Sequence, residues 1–222
     1  MKKGQRRKRK SFFLESERYE NDEMVYPKRS EERNRKKYSE PRRLEITYSN
    51  VDGLTSARLE INDYLRIKEP DIMCLVETKF TRETYIQLGY NNYNCWRRDR
   101  EGKKGGGVMF VVKDDIMVDD INMSEGRAEA IHLRISTSEH KKRDIVVAYV
   151  PPKTNAWSEI EYQAMLNDSV LFLKKHIEQS KNIVIIGDFH CGEVNREEWE
   201  AGDREGTWGN ILLNIAMVNT MT

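Results

Sequence analysis

Residues 44–79 read LEITYSNVDGLTSARLEINDYLRIKEPDIMCLVETK, and three textures succeed one another within them. Leu44–Ser49 is a short run carrying apolar and β-branched residues, the signature of a strand. From Ser56, a suitable N-cap, to Lys68 the apolar positions Ala57, Ile61, Tyr64 and Leu65 fall on one helical face, and Glu69-Pro70 stops the pattern. Ile72–Val76 is then an unbroken apolar run of strand length. Strand, amphipathic helix and buried strand in sequence point to a layered α/β domain.

The same alternation continues outward. Further strands are expected at Gly107–Val112, Ala130–Ile135, Ile145–Tyr149 and Ile183–Ile186. A long helix is expected from Ser158 to Gln179, with Tyr162, Leu166, Val170, Leu173 and Ile177 as its buried stripe, and another from Trp208 to Val218. Gly105-Gly106-Gly107 leads into a strand, with no Lys-Ser/Thr behind it and no helix opening after it, so it reads as a hairpin turn and not as a phosphate loop.

Charge divides the chain unevenly. Its 222 residues carry a formal net charge of only +1, yet residues 1–43 hold 16 Lys and Arg against 8 Asp and Glu, leaving 22 against 29 in residues 44–222. The first segment, with Lys8, Arg9 and Lys10 at the end of its densest basic run, has little to bury and reads as a disordered basic tail suited to nuclear targeting or to nucleic acid. The rest reads as one domain of acidic balance. No stretch has the apolar length of a membrane span and the N-terminus lacks a secretion signal, so the expected location is nuclear or cytoplasmic, without membrane or secretion. Cys74, Cys95 and Cys191 are too few and scattered for a disulfide framework or a C-x-x-C metal site.

Polar residues sit where the strands end. Asn50 and Asp52 follow the first strand, Glu77 follows Ile72–Val76, and Asp188 follows Ile183-Val-Ile-Ile-Gly187. Strands leading straight into acids or amides bring those side chains to the rim of a sheet, where layered α/β folds build their sites. Oxygen donors gathered at one rim suit a hard divalent cation such as Mg²⁺.

The ordered set Asn50-Val-Asp52-Gly-Leu54, Val76-Glu77-Thr78-Lys79, Gly105-Gly-Gly-Val-Met-Phe110, Ala148-Tyr149-Val-Pro-Pro152 and Ile186-Gly187-Asp188-Phe189 resembles the endonuclease/exonuclease/phosphatase (DNase I-like) superfamily. In particular it looks like the apurinic-type endonuclease domain that non-LTR, LINE-like retrotransposons carry ahead of their reverse transcriptase. The resemblance implies a four-layered α/β sandwich of two packed mixed sheets flanked by helices, and Mg²⁺-dependent cleavage of phosphodiesters in DNA. It gives Glu77 the metal, with Asn50 and Asp52 in the outer ligand set. It gives Tyr149 a hydrogen bond to the scissile phosphate, Asp188 the attacking water, and Arg127 a phosphate contact.

Two departures qualify these expectations. His190 stands where the family has an Asn whose amide donates to the phosphate, and an imidazole differs in reach and in the pH dependence of its charge. The family's later motifs, ending in Ser-Asp-His, would lie past Thr222, so the sequence reads as a truncated copy with an incomplete second sheet and impaired activity; His132, His140 and His176 offer no replacement. Two other readings compete: a non-catalytic nucleic-acid binder acting through the basic tail, and a phosphatase of the same superfamily. Within the acidic body, Arg97-Arg98-Asp-Arg100 and Lys103-Lys104 are the best candidates for a local positive strip.

Overall fold

A computed structural model of the chain describes residues 43–84, 92–136, 141–191, 194–195, 200–201 and 208–220. The basic tail with Lys8, Arg9 and Lys10, and His140, lie outside the described residues. Strand β1 (Ile46–Asn50), helix α1 (Leu54–Lys68) and β2 (Ile72–Val76) open the domain. Strands β3 (Tyr93–Arg98), β4 (Val108–Lys113), β5 (Met117–Met123), β6 (Glu129–Ser136) and β7 (Lys142–Tyr149) follow, then α2 (Glu159–Glu178) and β8 (Ile183–Asp188). The short β9 (Val194–Asn195) and β10 (Glu200–Ala201) precede α3 (Trp208–Thr220).

Two four-stranded mixed sheets result, in the orders β1-β2-β4-β3 and β5-β6-β7-β8. Their layering explains the hydrophobic pattern. On β2, Ile72, Cys74 and Val76 face the second sheet while Met73 and Leu75 face α1, so the strand is buried on both sides and reads as continuous apolar sequence. Phe110, Leu133 and Val147 fill the space between the sheets, and Val146, Ala148, Phe172 and Leu173 join the second sheet to α2. This is the expected α/β sandwich with helices outside both sheets. Among the described residues no helix is long and apolar enough to cross a membrane.

Three details depart from the sequence expectation. Helix α1 starts at Leu54, before Ser56, because the amides of Gly53 and Leu54 donate to the carbonyls of Glu77 and Thr78 at 2.8 and 3.0 Å and fix the first turn from outside. Helix α2 does start behind Ser158, which forms a capping box with Glu161, but its buried residues are Met165, Ser169, Phe172, Leu173 and His176. The buried stripe is thus rotated by about one residue, with Tyr162, Leu166, Val170 and Ile177 on its flanks. Strands β3 and β5 lie at sheet edges and carry polar residues that conceal their period.

Register decides where the site forms. β1 pairs parallel to β2 with Asn50 opposite Val76, and β7 pairs parallel to β8 with Tyr149 opposite Asp188. Parallel neighbours end together, so Asn50 and Glu77 leave one sheet at the same level, and Tyr149 and Asp188 leave the other.

Candidate active site

At the rim between the sheets four of the expected residues meet. The Asn50 amide donates to Glu77 Oε1 at 3.0 Å and to Asp188 Oδ2 at 3.2 Å, tying a carboxylate from each sheet to one side chain. Asn50 Oδ1 in turn accepts the Asp52 backbone N–H at 3.2 Å. Tyr149 keeps its ring in the core between the sheets and donates its hydroxyl to Glu77 Oε1 at 2.9 Å. Burial first, then the hydrogen bond and charge of Glu77, push the Tyr149 phenol well above its ordinary pKa, so it stays a donor.

The loop that carries Glu77 is held on both sides. The Lys79 amide donates to the Gly106 carbonyl at 2.7 Å and the Thr78 amide to the Gly107 carbonyl at 3.3 Å. Asp52, Glu77, Lys79 and His190 all have positive φ, between 40° and 56°, a region costly for residues with a Cβ. Such outliers gathered at one rim are a mark of functional sites.

Of the other expected residues, His190 borders this group, whereas Asp52 and Arg127 have other side-chain partners. Asp52 is exposed and its carboxylate is ion-paired with Lys79, which also lies 3.9 Å from Glu77 Oε2, so only its backbone N–H reaches the group, at Asn50. His190 Nδ1 lies 3.0 Å from the Val150 carbonyl and 3.1 Å from Asp188 Oδ1, with its ring edge-on to Tyr149. Arg127 is turned to α2: its guanidinium pairs with Glu161 at 3.3 Å and its backbone N–H donates to Asp168.

Sequence reasoning missed the support beneath Tyr149. Glu129 is opposite Tyr149 in the β6–β7 register, is 2% exposed, and takes both the Arg100 guanidinium and the Gly107 amide. Burial raises its pKa, opposed by the charge of Arg100 and the Gly107 hydrogen bond. Arg100 lies 5.7 Å over the Tyr149 ring and 5.3 Å over Trp157. Gly106 has φ 64°, and a Cβ there would run into Arg100 and Glu129, so the glycine run serves this buried ion pair. The position of Glu129 directly before an apolar run was a signal, but one that reads equally as a solvent-facing turn.

The donor set suits a divalent metal. Two carboxylates are hard ligands, which Asn50 would join by turning its amide, since its Nδ2 now faces both carboxylates and its Oδ1 accepts the Asp52 N–H. The negative field of the group is felt by Tyr48, whose pKa is raised to about 12 by burial first and then by Asp188 and Glu77. Among the described residues no cluster of three His, Cys, Asp or Glu side chains forms, so the ligands available here are Glu77 and Asn50, with Asp188 beside them.

Residues 48–189 match the family described as the Endonuclease/Exonuclease/phosphatase family. The chain is 23% identical over 145 residues to an exodeoxyribonuclease of Bacillus subtilis, covering 64% of this chain and 56% of that protein. It is 25% identical over 154 residues to the DNA repair nuclease APEX1 of Danio rerio, covering 66% of this chain and 49% of that one. The chain therefore spans about half the length of the curated relatives it matches. Its fold resembles that of a 3' phosphatase, NExo, from Neisseria, solved with a product DNA hairpin: the TM-score is 0.57 at 16% identity, over 78% of this chain and 71% of that one.

Proposed function

The chain belongs to the endonuclease/exonuclease/phosphatase family, and from that premise we propose that it cleaves phosphodiester bonds of DNA with the help of a divalent cation, Mg²⁺. The observation that carries this reading is the bridge made by Asn50 between Glu77 and Asp188, with the Tyr149 hydroxyl on the same carboxylate. A cation held by Glu77 and Asn50 would supply charge neutralisation for the phosphoryl oxygens. The protein's own groups do the rest. Asp188, reached by Asn50 and by the His190 amide, orients a water for in-line attack, accepting one of its hydrogens. Tyr149 donates to a phosphoryl oxygen as negative charge builds there. One P–O bond forms from water, the opposite P–O bond breaks, and the departing oxygen takes up a proton.

The closer kinship we propose is with the endonuclease domains of non-LTR retrotransposons. The pieces Asn50-Val-Asp52-Gly-Leu54 and Tyr149-Val-Pro-Pro152 support that branch over the small-molecule phosphatases. The test is nicking of supercoiled plasmid with Mg²⁺, which chelation and Glu77→Ala should each abolish. Hydrolysis of a soluble phosphomonoester with plasmid left intact would favour a phosphatase instead.

A further inference from the structure

A second feature adjoins the Glu77–Tyr149 centre. A cleft of about 430 Å³ beside Tyr149 and Pro151 meets another of about 340 Å³ that extends to Arg127 and Glu161, and both are lined by Arg100, Lys103 and Trp157. Their shared wall alternates cations with an indole. Lys103 Nζ stands 4.8 Å from the centroid of the Trp157 ring.

One carboxylate joins two of the far cleft's four cations, the other two, Arg98 and Arg100, being paired with Glu101 and Glu129. Glu161 accepts from Lys103 at 3.0 Å through Oε2 and from Arg127 at 3.3 Å through Oε1. Lys103 also donates to the Ala156 carbonyl at 2.6 Å, which holds the basic loop against the start of α2. A carboxylate shared by two cations has the charge and oxygen spacing of a phosphate edge. A groove that combines such cations with an aromatic face has the physical makeup of a single-strand site, where bases stack and the backbone is neutralised.

We propose that this cleft is a binding subsite for an unpaired nucleotide of the substrate strand, with Trp157 as the surface on which the base stacks and Lys103 and Arg127 taking its phosphate in exchange for Glu161. The proposal rests on the reading of the adjoining centre as DNA-cleaving. It gives Arg127 a role away from the scissile phosphate. It also gives opposite signs to two substitutions in one cleft: loss of the indole weakens binding, whereas loss of the Glu161 charge frees both cations and strengthens it. Glu161→Gln suits the second arm because glutamine still completes a capping box with Ser158.

The experiment is fluorescence anisotropy with the full chain in chelator, using labelled oligothymidine and a duplex of equal length. Oligothymidine should bind more tightly than duplex. Trp157→Ala should weaken oligothymidine binding roughly tenfold and duplex binding little, with Trp157→Phe recovering most of the loss. Glu161→Gln should tighten binding roughly threefold and steepen its salt dependence. Unchanged oligothymidine binding by a folded Trp157→Ala, or weaker binding by Glu161→Gln, overturns the proposal. Should Trp157→Ala fail to fold, the Glu161→Gln arm decides alone. Glu77-dependent nicking alongside Trp157-independent binding would remove the subsite and leave the cleavage reading standing, and Trp157-dependent binding without nicking would do the reverse.

Discussion

The Tyr149 hydroxyl donates to Glu77 Oε1 at 2.9 Å, joining two residues that lie 72 positions apart and on different sheets. The contact ties the edge of the second sheet to the carboxylate that the first sheet presents. Tyr149→Phe keeps the ring in the core and removes only the donor. Hydrogen bonds to charged groups contribute about 1.5–3 kcal/mol, so cleavage should slow by roughly 10- to 100-fold. Thermal melting should shift by only a few degrees. A normal cleavage rate in this variant would mean that Tyr149 serves Glu77 alone and never touches the reacting phosphate.

Gly187 is fixed by close approach, not by an unusual backbone angle. It pairs with Ala148 between β7 and β8, and a Cβ on it would collide with the Ala148 carbonyl, which is backbone and has no rotamer to change. Gly187→Ala should therefore destabilise by about 3 kcal/mol and separate Tyr149 from Asp188. Gly102→Ala is the control: its Cβ would meet nothing within 4 Å, and only its φ of 73° is unfavourable, so about 1 kcal/mol is expected. Urea unfolding midpoints of the two variants measure the difference.

Much of this arrangement was legible in the sequence because buried parallel strands end abruptly. Ile72–Val76 is buried throughout, so the acid behind it must reach a rim; Asp188 ends β8, an edge strand that is only half-buried, and there the apolar run itself marked the strand end. What failed to show follows from the same physics. β3 buries only Trp96, and β5 slips register between Val118 and Asp120, so neither keeps the alternation that announces a strand. The α2 stripe moved by one residue because Ser169 and His176 face inward, positions a hydrophobicity pattern skips. Glu129 and Arg100 meet only after two hairpins fold, and no local pattern encodes a contact between residues 29 positions apart.

The buried pair behind the second sheet predicts a pH profile. His176 stacks on His132 at 4.2 Å, and burial first, then the charge of His132 and Lys175, lower its pKa to about 4. His132 is hydrogen-bonded to Asp144 at 2.7 Å. The unfolded chain takes up the His176 proton near the ordinary histidine value, about 6.5, whereas the folded chain resists it until about pH 4. Stability from this group is thus complete above about pH 6.5 and is lost as pH falls toward 4, by up to about 3 kcal/mol. Asp144 acts lower: burial raises its pKa, but hydrogen bonds from Ser180, Arg134 and His132 outweigh it and leave a net decrease, so its contribution fades only below the ordinary aspartate range. His176→Phe preserves the ring contacts with His132 and Phe172 and should flatten the stability profile between pH 7 and pH 4.5. Chemical denaturation across that range checks it, and an unchanged slope would exclude His176 as the source.

His190 gives the sharpest test of the catalytic reading. Its Nδ1 stands 3.0 Å from the Val150 carbonyl and 3.1 Å from Asp188 Oδ1, and both oxygens accept, so the hydrogen on Nδ1 is spent within the protein and only Nε2 is left to meet a phosphate. An asparagine amide is shorter, carries two N–H donors, and tolerates the φ of 40° that this position requires. His190→Asn should therefore cleave plasmid faster than the parent, by roughly tenfold, which is the scale of one hydrogen bond to a charged oxygen. His190→Ala, with no donor, should stay below His190→Asn. Nicking rates of the three proteins under one set of conditions decide the matter: equal rates would show that residue 190 holds the Asp188 loop and has no part in binding the phosphate.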